Sequence, residues 1–131
     1  MATYPTHWAD VAYAGLLPDL FKLNVGRFNL QMASEPDRES VLRLVSKLAT
    51  PEHLVFIGVI DPINPAVETP MEVRDRVLQA ASFLPLEQLG TTDDCGFAPF
   101  ADDTSTAREV AFQKIRARVE GTALAAKELG V

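Results

Sequence analysis

Cysteine and histidine are scarce in this chain: Cys95 stands alone, and His7 and His53 are the two histidines. One cysteine excludes an internal disulfide, which leaves Cys95 as a free thiol, a small buried apolar residue or a metal ligand. A catalytic zinc takes about three protein ligands with one position open, so by count alone these residues do not make a site. Positive charge is scarce too. With 12 Lys and Arg against 18 Asp and Glu the net charge is −6. That balance offers no footprint for nucleic acid or an anionic membrane, and neither partner is expected. No apolar run approaches the roughly 20 residues that span a bilayer. Met1-Ala2-Thr3-Tyr4-Pro5 lacks the basic and apolar regions of a secretion signal, so the expectation is a cytoplasmic protein. The HExxH, CxxC, GxGxxG and Walker patterns are missing, as are low-complexity segments and heptads.

What is present is enough for one domain over residues 1–131. At 47% hydrophobic, a compact fold of this size buries roughly two-thirds of its unfolded surface. A unit of strand, loop and helix recurs three times. Arg27 to Met32 reads as a short strand. A helix from Asp37 to Leu48 follows, with Val41, Leu44, Val45 and Leu48 on one face. Leu54 to Ile60 is a continuous apolar run, the pattern of a parallel strand covered on both faces. Thr69-Pro70-Met71-Glu72 then opens a helix through a capping box with proline in the first turn, and the helix is expected to run to Leu84. Val73, Val77, Ala81 and Leu84 are its expected core face. A third strand at Leu89 to Thr92 leads to Asp93-Asp94-Cys95-Gly96, and Thr106-Ala107-Arg108-Glu109 reads as a second capping box. Phe112, Ile115, Val119, Thr122 and Ala126 recur at steps of three and four, which predicts the core face of the last helix, ended by Gly130. Trp8 to Leu23 is expected to hold a short helix interrupted near Pro18.

Alternating strands and helices imply an α/β fold with right-handed crossovers and a parallel sheet, whose ligands bind at the carboxyl ends of the strands. Three residues or clusters fall at those ends: Gln31, Asp61 with Asn64, and Asp93-Asp94-Cys95. Asp61 either orients a polar group or, as Asp61-Pro62, starts a turn. Cys95, between Asp94 and Gly96 in a turn-forming polar setting, is reachable by metal or substrate. His53 precedes its strand and belongs at the opposite end, and His7 lies in an irregular stretch. Asp102 and Asp103 are expected to favour the positive end of the last helix. Arg116, Arg118 and Glu120 read as a solvated face. Three strands cannot close a barrel that needs eight, so the sheet's edges require a cover.

Leu89-Gly90-Thr91-Thr92-Asp93-Asp94-Cys95-Gly96-Phe97, followed by Phe112 to Thr122, resembles the C-terminal end of the cobalamin-independent methionine synthase superfamily. The likeness extends upstream through Gly58-Val59-Ile60-Asp61, Asn64-Pro65, Val67-Glu68-Thr69-Pro70 and Phe28-Asn29-Leu30-Gln31, and looks closest to single-barrel members such as the epoxyalkane:coenzyme M transferases. The resemblance implies three consecutive βα units forming the C-terminal part of a (β/α)8 TIM barrel. It also implies a zinc ion that binds a thiol substrate, of homocysteine or coenzyme M type, and presents it as thiolate to an electrophilic carbon. By that pattern Cys95 is the last zinc ligand and Gln31 stands where methionine synthases carry a ligating glutamate. Asp61 and Asn64 become the catalytic candidates. The family's earlier His-x-Cys ligand pair has no counterpart in this chain. Ile63 occupies the place of its proton-donating histidine, which favours alkyl transfer to a thiol over methyl transfer from a folate. The implied partner is an N-terminal half-barrel, or self-association. A non-catalytic or regulatory half-barrel subunit and a metal-free reactive thiol are the alternatives.

Overall fold

The computed structural model describes residues 13–97 and 107–131. His7, Trp8, Asp102, Asp103 and Thr106 lie outside them. The elements in chain order are α1 (Tyr13–Leu20), β1 (Arg27–Leu30), α2 (Arg38–Leu48), β2 (Leu54–Ile60), α3 (Pro70–Ala81), β3 (Leu89–Asp93) and α4 (Arg108–Leu129). A 3-10 turn, Leu86–Gln88, leads into β3. The strands form one parallel sheet in the order β1-β2-β3. Arg27 pairs with Leu54, and Val55 pairs with Leu89.

Local chemistry explains most element boundaries. At the start of α3, Thr69 Oγ1 accepts from the Glu72 N–H (3.1 Å) and Glu72 Oε2 accepts from the Thr69 N–H (3.3 Å). That reciprocal pairing satisfies two donors the helix cannot, and Pro70 sits where no N–H is needed. Asp37 caps α2 through Ser40. Gly130 ends α4 in the left-handed conformation, φ 81°. The second expected capping box rests on Thr106, outside the described residues, and α4 starts at Arg108 behind Ala107, which supplies no side-chain cap. Pro18 does not interrupt α1, which continues through it to Leu20. Proline there forfeits a single bond, to the carbonyl four residues back, near the end of a short helix.

Alternation along the strands decides which side of the sheet is dry. Phe28, Leu30, Val55, Ile57 and Val59 are buried beneath the helices with Val41, Leu42 and Val45 of α2 and Val73, Val77 and Ala80 of α3. Side chains of the opposite parity are mostly not: Arg27, Asn29 and Leu54 are exposed and Phe56 is half-buried, although Ile60, at the carboxyl end of β2, is 0% exposed. Expected coverage of β2 on both faces therefore holds at its carboxyl end and fails at Leu54 and Phe56. Among the described residues one face is open, with the Arg27 guanidinium 3.8 Å over the Phe56 ring and Phe56 lying over Gly90, where any Cβ would collide with the ring.

The last helix departs furthest from expectation. Its buried residues are Lys114, Ala117, Gly121 and Ala125, while Phe112 is 55% exposed and Val119 57%. Gly121 explains the rotation, since a Cβ there would run into Val73 and the Pro70 carbonyl of α3. Small residues at steps of four let two helices approach closely, and this approach overrides the larger apolar stripe on the flank.

Candidate functional site

The carboxyl ends of β1 and β3 bring Gln31 and Cys95 together. Cys95 Sγ donates to Gln31 Oε1 at 2.6 Å, and both line a pocket of about 400 Å³ shared with Asn29, Thr92, Asp93 and Asp94. Cys95 is exposed and has φ 52°, the left-handed region that β-carbon-bearing residues seldom occupy. Gly96 follows at φ 81°. Two successive left-handed residues turn the chain back over the sheet end, which aims the thiol at Gln31.

Asp94 holds this rim together. Its side chain crosses the end of β2 to β1, where the backbone N–H of Met32 donates to Oδ1 and that of Ala33 to Oδ2, each at 3.0 Å. The crossing is possible because Gly58 lies underneath; a Cβ at that position would occupy the place of Oδ1. Burial, to 2% exposure, pushes the Asp94 carboxyl up to about 7, against the pull of the two N–H donors. Its neighbour Asp93 is raised by burial as well, while Arg118 opposes the shift. Arg118 Nε donates to Asp93 Oδ1 at 3.0 Å, so Arg118 is an anchor and not part of a solvated face. Tyr13, at the start of α1, has its phenol pushed up to about 12, chiefly by burial, beside Asp94 and Cys95.

Asp61 and Asn64 occupy the loop after β2 and do not line that pocket. Asp61 Oδ1 accepts from the Ile63 N–H and Asn64 Oδ1 from the Ala66 N–H, both at 3.0 Å. Each therefore initiates a turn, the plainer of the two roles considered for Asp61. A buried ion pair clamps the loop. Lys114 Nζ, 0% exposed, donates to Glu68 Oε1 (2.8 Å), the Asp61 carbonyl (2.9 Å) and the Ala66 carbonyl (2.7 Å), while Glu68 Oε2 accepts from the Asp61 N–H (2.8 Å). Sequence reasoning missed Lys114, Glu68 and the Asp94 crossing. The signal for Lys114 was its place one turn before Ala117 and Gly121 on the small-residue face; nothing local announces Asp94. His53 sits among Phe21 and Phe28 and accepts from the Thr50 N–H through Nδ1, at the amino ends of the strands.

The Cys95 thiol and the Gln31 amide oxygen are metal-donor types placed side by side, and at 2.6 Å they are joined by a hydrogen bond that a shared metal would have to replace. They do not make a complete set. Among the described residues no three His, Cys, Asp or Glu side chains are grouped to hold a metal. Likewise no described helix is long and apolar enough to cross a membrane.

No family model matches the chain. It is 32% identical over 120 residues to a methionine synthase of Sulfurisphaera tokodaii, covering 89% of this chain and 31% of that protein. It is 29% identical to a 2-hydroxypropyl-CoM lyase of Xanthobacter autotrophicus, covering 90% of this chain and 30% of the relative. Among solved structures, a B12-independent methionine synthase from Shewanella sp. W3-18-1, in complex with selenomethionine, superposes with a TM-score of 0.73 at 26% identity. That match covers 89% of this chain and 31% of the other. The chain thus spans about a third of the length of the proteins it is similar to.

Proposed function

We propose, from the premise that this chain is related to B12-independent methionine synthases and 2-hydroxypropyl-CoM lyase, that it is the C-terminal part of a zinc-dependent thiol alkyl- or methyltransferase. Its three βα units are three of the eight in a TIM barrel, and it acts only when joined to the rest. The observation that carries the reading is the meeting of Cys95 and Gln31 at the carboxyl rim, 2.6 Å apart, where such folds keep their chemistry.

In this reading Cys95 and Gln31 supply two zinc ligands and the completing portion supplies the others. Zinc bound there lowers the pKa of a thiol substrate of homocysteine or coenzyme M type. Gln31 adds no negative charge, so Cys95 carries the anionic share of this half. Asp94 sets the spacing between the two donors. Asp61 Oδ2 and Asn64 Nδ2, the side-chain atoms not engaged in their own turns, are assigned to orienting the substrate, and Lys114 with Glu68 holds their loop still. Ile63 provides no proton, which supports a donor whose leaving group needs none from that position.

Metal analysis tests the proposal. Full chain alone is expected to bind zinc weakly. With a completing barrel portion, zinc should reach about one per complex and drop at least tenfold in affinity with Cys95→Ser. Stoichiometric zinc that survives Cys95→Ser would refute it. The second reading, a non-catalytic or regulatory subunit that binds a barrel protein, draws support from Gln31 and the exposed Ile63; it predicts a complex that never takes up zinc.

A further inference from the structure

The apolar stripe on α4 is incompletely covered among the described residues, with Phe112 and Val119 exposed, Ile115 and Ala126 half-buried and the Arg108 guanidinium 5.3 Å from the Phe112 ring centroid, and its position is specific. At 3.6 residues per turn, Phe112, Ile115, Val119 and Ala126 fall within about 60° of arc. Neighbouring contacts orient that arc. Gly121 meets Val73 and Pro70 of α3. Farther round the helix, Arg118 and Thr122 meet β3, through Asp93 and through Thr91 Oγ1 at 3.0 Å. The apolar arc comes next in the same sense of rotation, on the side away from α3, beside the edge of β3 that pairs with no described strand.

We propose that this flank of α4 and the adjoining edge of β3 form one docking surface for a strand–helix unit of the completing barrel portion. The inference rests on the transferase reading above and adds to it the place of contact. The chemistry of the surface selects the occupant. An open parallel edge asks for a strand, and an apolar helix flank on the same side asks for a helix layered over that strand. A lone peptide strand would leave Phe112 and Val119 wet, and a lone helix would leave the β3 edge unpaired. Relatives about three times as long match this chain over about 31% of their length, so they carry the remaining units of such a fold.

The probe is the Sulfurisphaera tokodaii methionine synthase expressed without the stretch this chain matches, titrated with the full chain in the analytical ultracentrifuge, with the enzyme's own excised stretch as control. The expected result is a one-to-one complex that Phe112→Glu with Val119→Lys weakens at least tenfold. Leu124→Lys, on the other flank of α4 and also exposed, should leave it unchanged. Both altered positions of the double variant are exposed, so its circular dichroism and Tm are expected to match the parent. Failure of the chain to bind the probe overturns the proposal, as does a complex indifferent to the double variant. Dimerisation of the chain alone that the double variant abolishes overturns it too, naming a second copy as the occupant. Zinc separates this inference from the reading beneath it. A double-variant-sensitive complex without zinc sinks the transferase and leaves the surface, whereas a zinc-loaded complex that ignores the double variant does the reverse.

Discussion

Asp94 is buried because two backbone N–H groups, on Met32 and Ala33, need an acceptor at the end of β1. Gly58 is glycine because Asp94 must pass over it. The two residues thus form one device, and their substitutions should not add. Asp94→Ala leaves one buried and one half-buried donor unsatisfied, a cost of about 2–3 kcal/mol. Gly58→Ala evicts the carboxylate and is expected to cost a similar ~3 kcal/mol, part of it strain. In the Asp94→Ala background the same Gly58→Ala change has less to displace, so a double-mutant cycle read by urea denaturation should give a coupling of at least ~1 kcal/mol. Additive effects would show that Asp94 and Gly58 act separately.

At the scale of elements, the lesson lies in what is local and what is not. The capping box of α3 is legible as Thr69-Pro70-Met71-Glu72 because its partners are three residues apart, and the apolar run of β2 is legible because burial writes itself into consecutive residues. The face of α4 is not legible from hydrophobic spacing, because Gly121 and Ala117 bury by being small while Phe112 stays out. On α3 the buried position is Ala80 in place of Ala81, and on α2 Leu42 joins Val41 and Val45. The meeting of Gln31 with Cys95 follows from strand order, whereas Asp61 and Asn64 are near the rim yet turned to their own loop. Lys114 ties α4 to that loop. Lys114→Met removes one partner of a buried pair and strands Glu68, for an expected loss of about 3–5 kcal/mol. Lys114→Met with Glu68→Leu should recover most of it, measured by thermal or urea unfolding. A double variant as unstable as the single one would mean that the carbonyls of Asp61 and Ala66, and not Glu68, are what Lys114 serves.

The molecule is a sheet with helices on one side and two border strands whose outer edges pair with no strand among the described residues. Among the described residues, β2 alone has hydrogen-bonded neighbours on both sides. Amide exchange should therefore be slowest across Val55 to Ile60 and faster in β1 and β3, followed by mass spectrometry on the full chain. Equal protection in β3 would mean that its outer edge is already paired in solution. The three-unit repeat could be read from the sequence; the open face could not, since apolar Leu54 and Phe56 point to it as the apolar residues of a covered strand would.

Gly58 carries a last consequence. The carboxylate that passes above it joins the first and third strands, while the same residue's N–H donates to the Ile60 carbonyl of the middle one. A single side chain and its backbone thus tie all three strand ends just before the turn that carries the thiol. Replacement of the Gln31 or Cys95 side chain removes none of these bonds, whereas loss of Asp94 releases the ends of all three strands together.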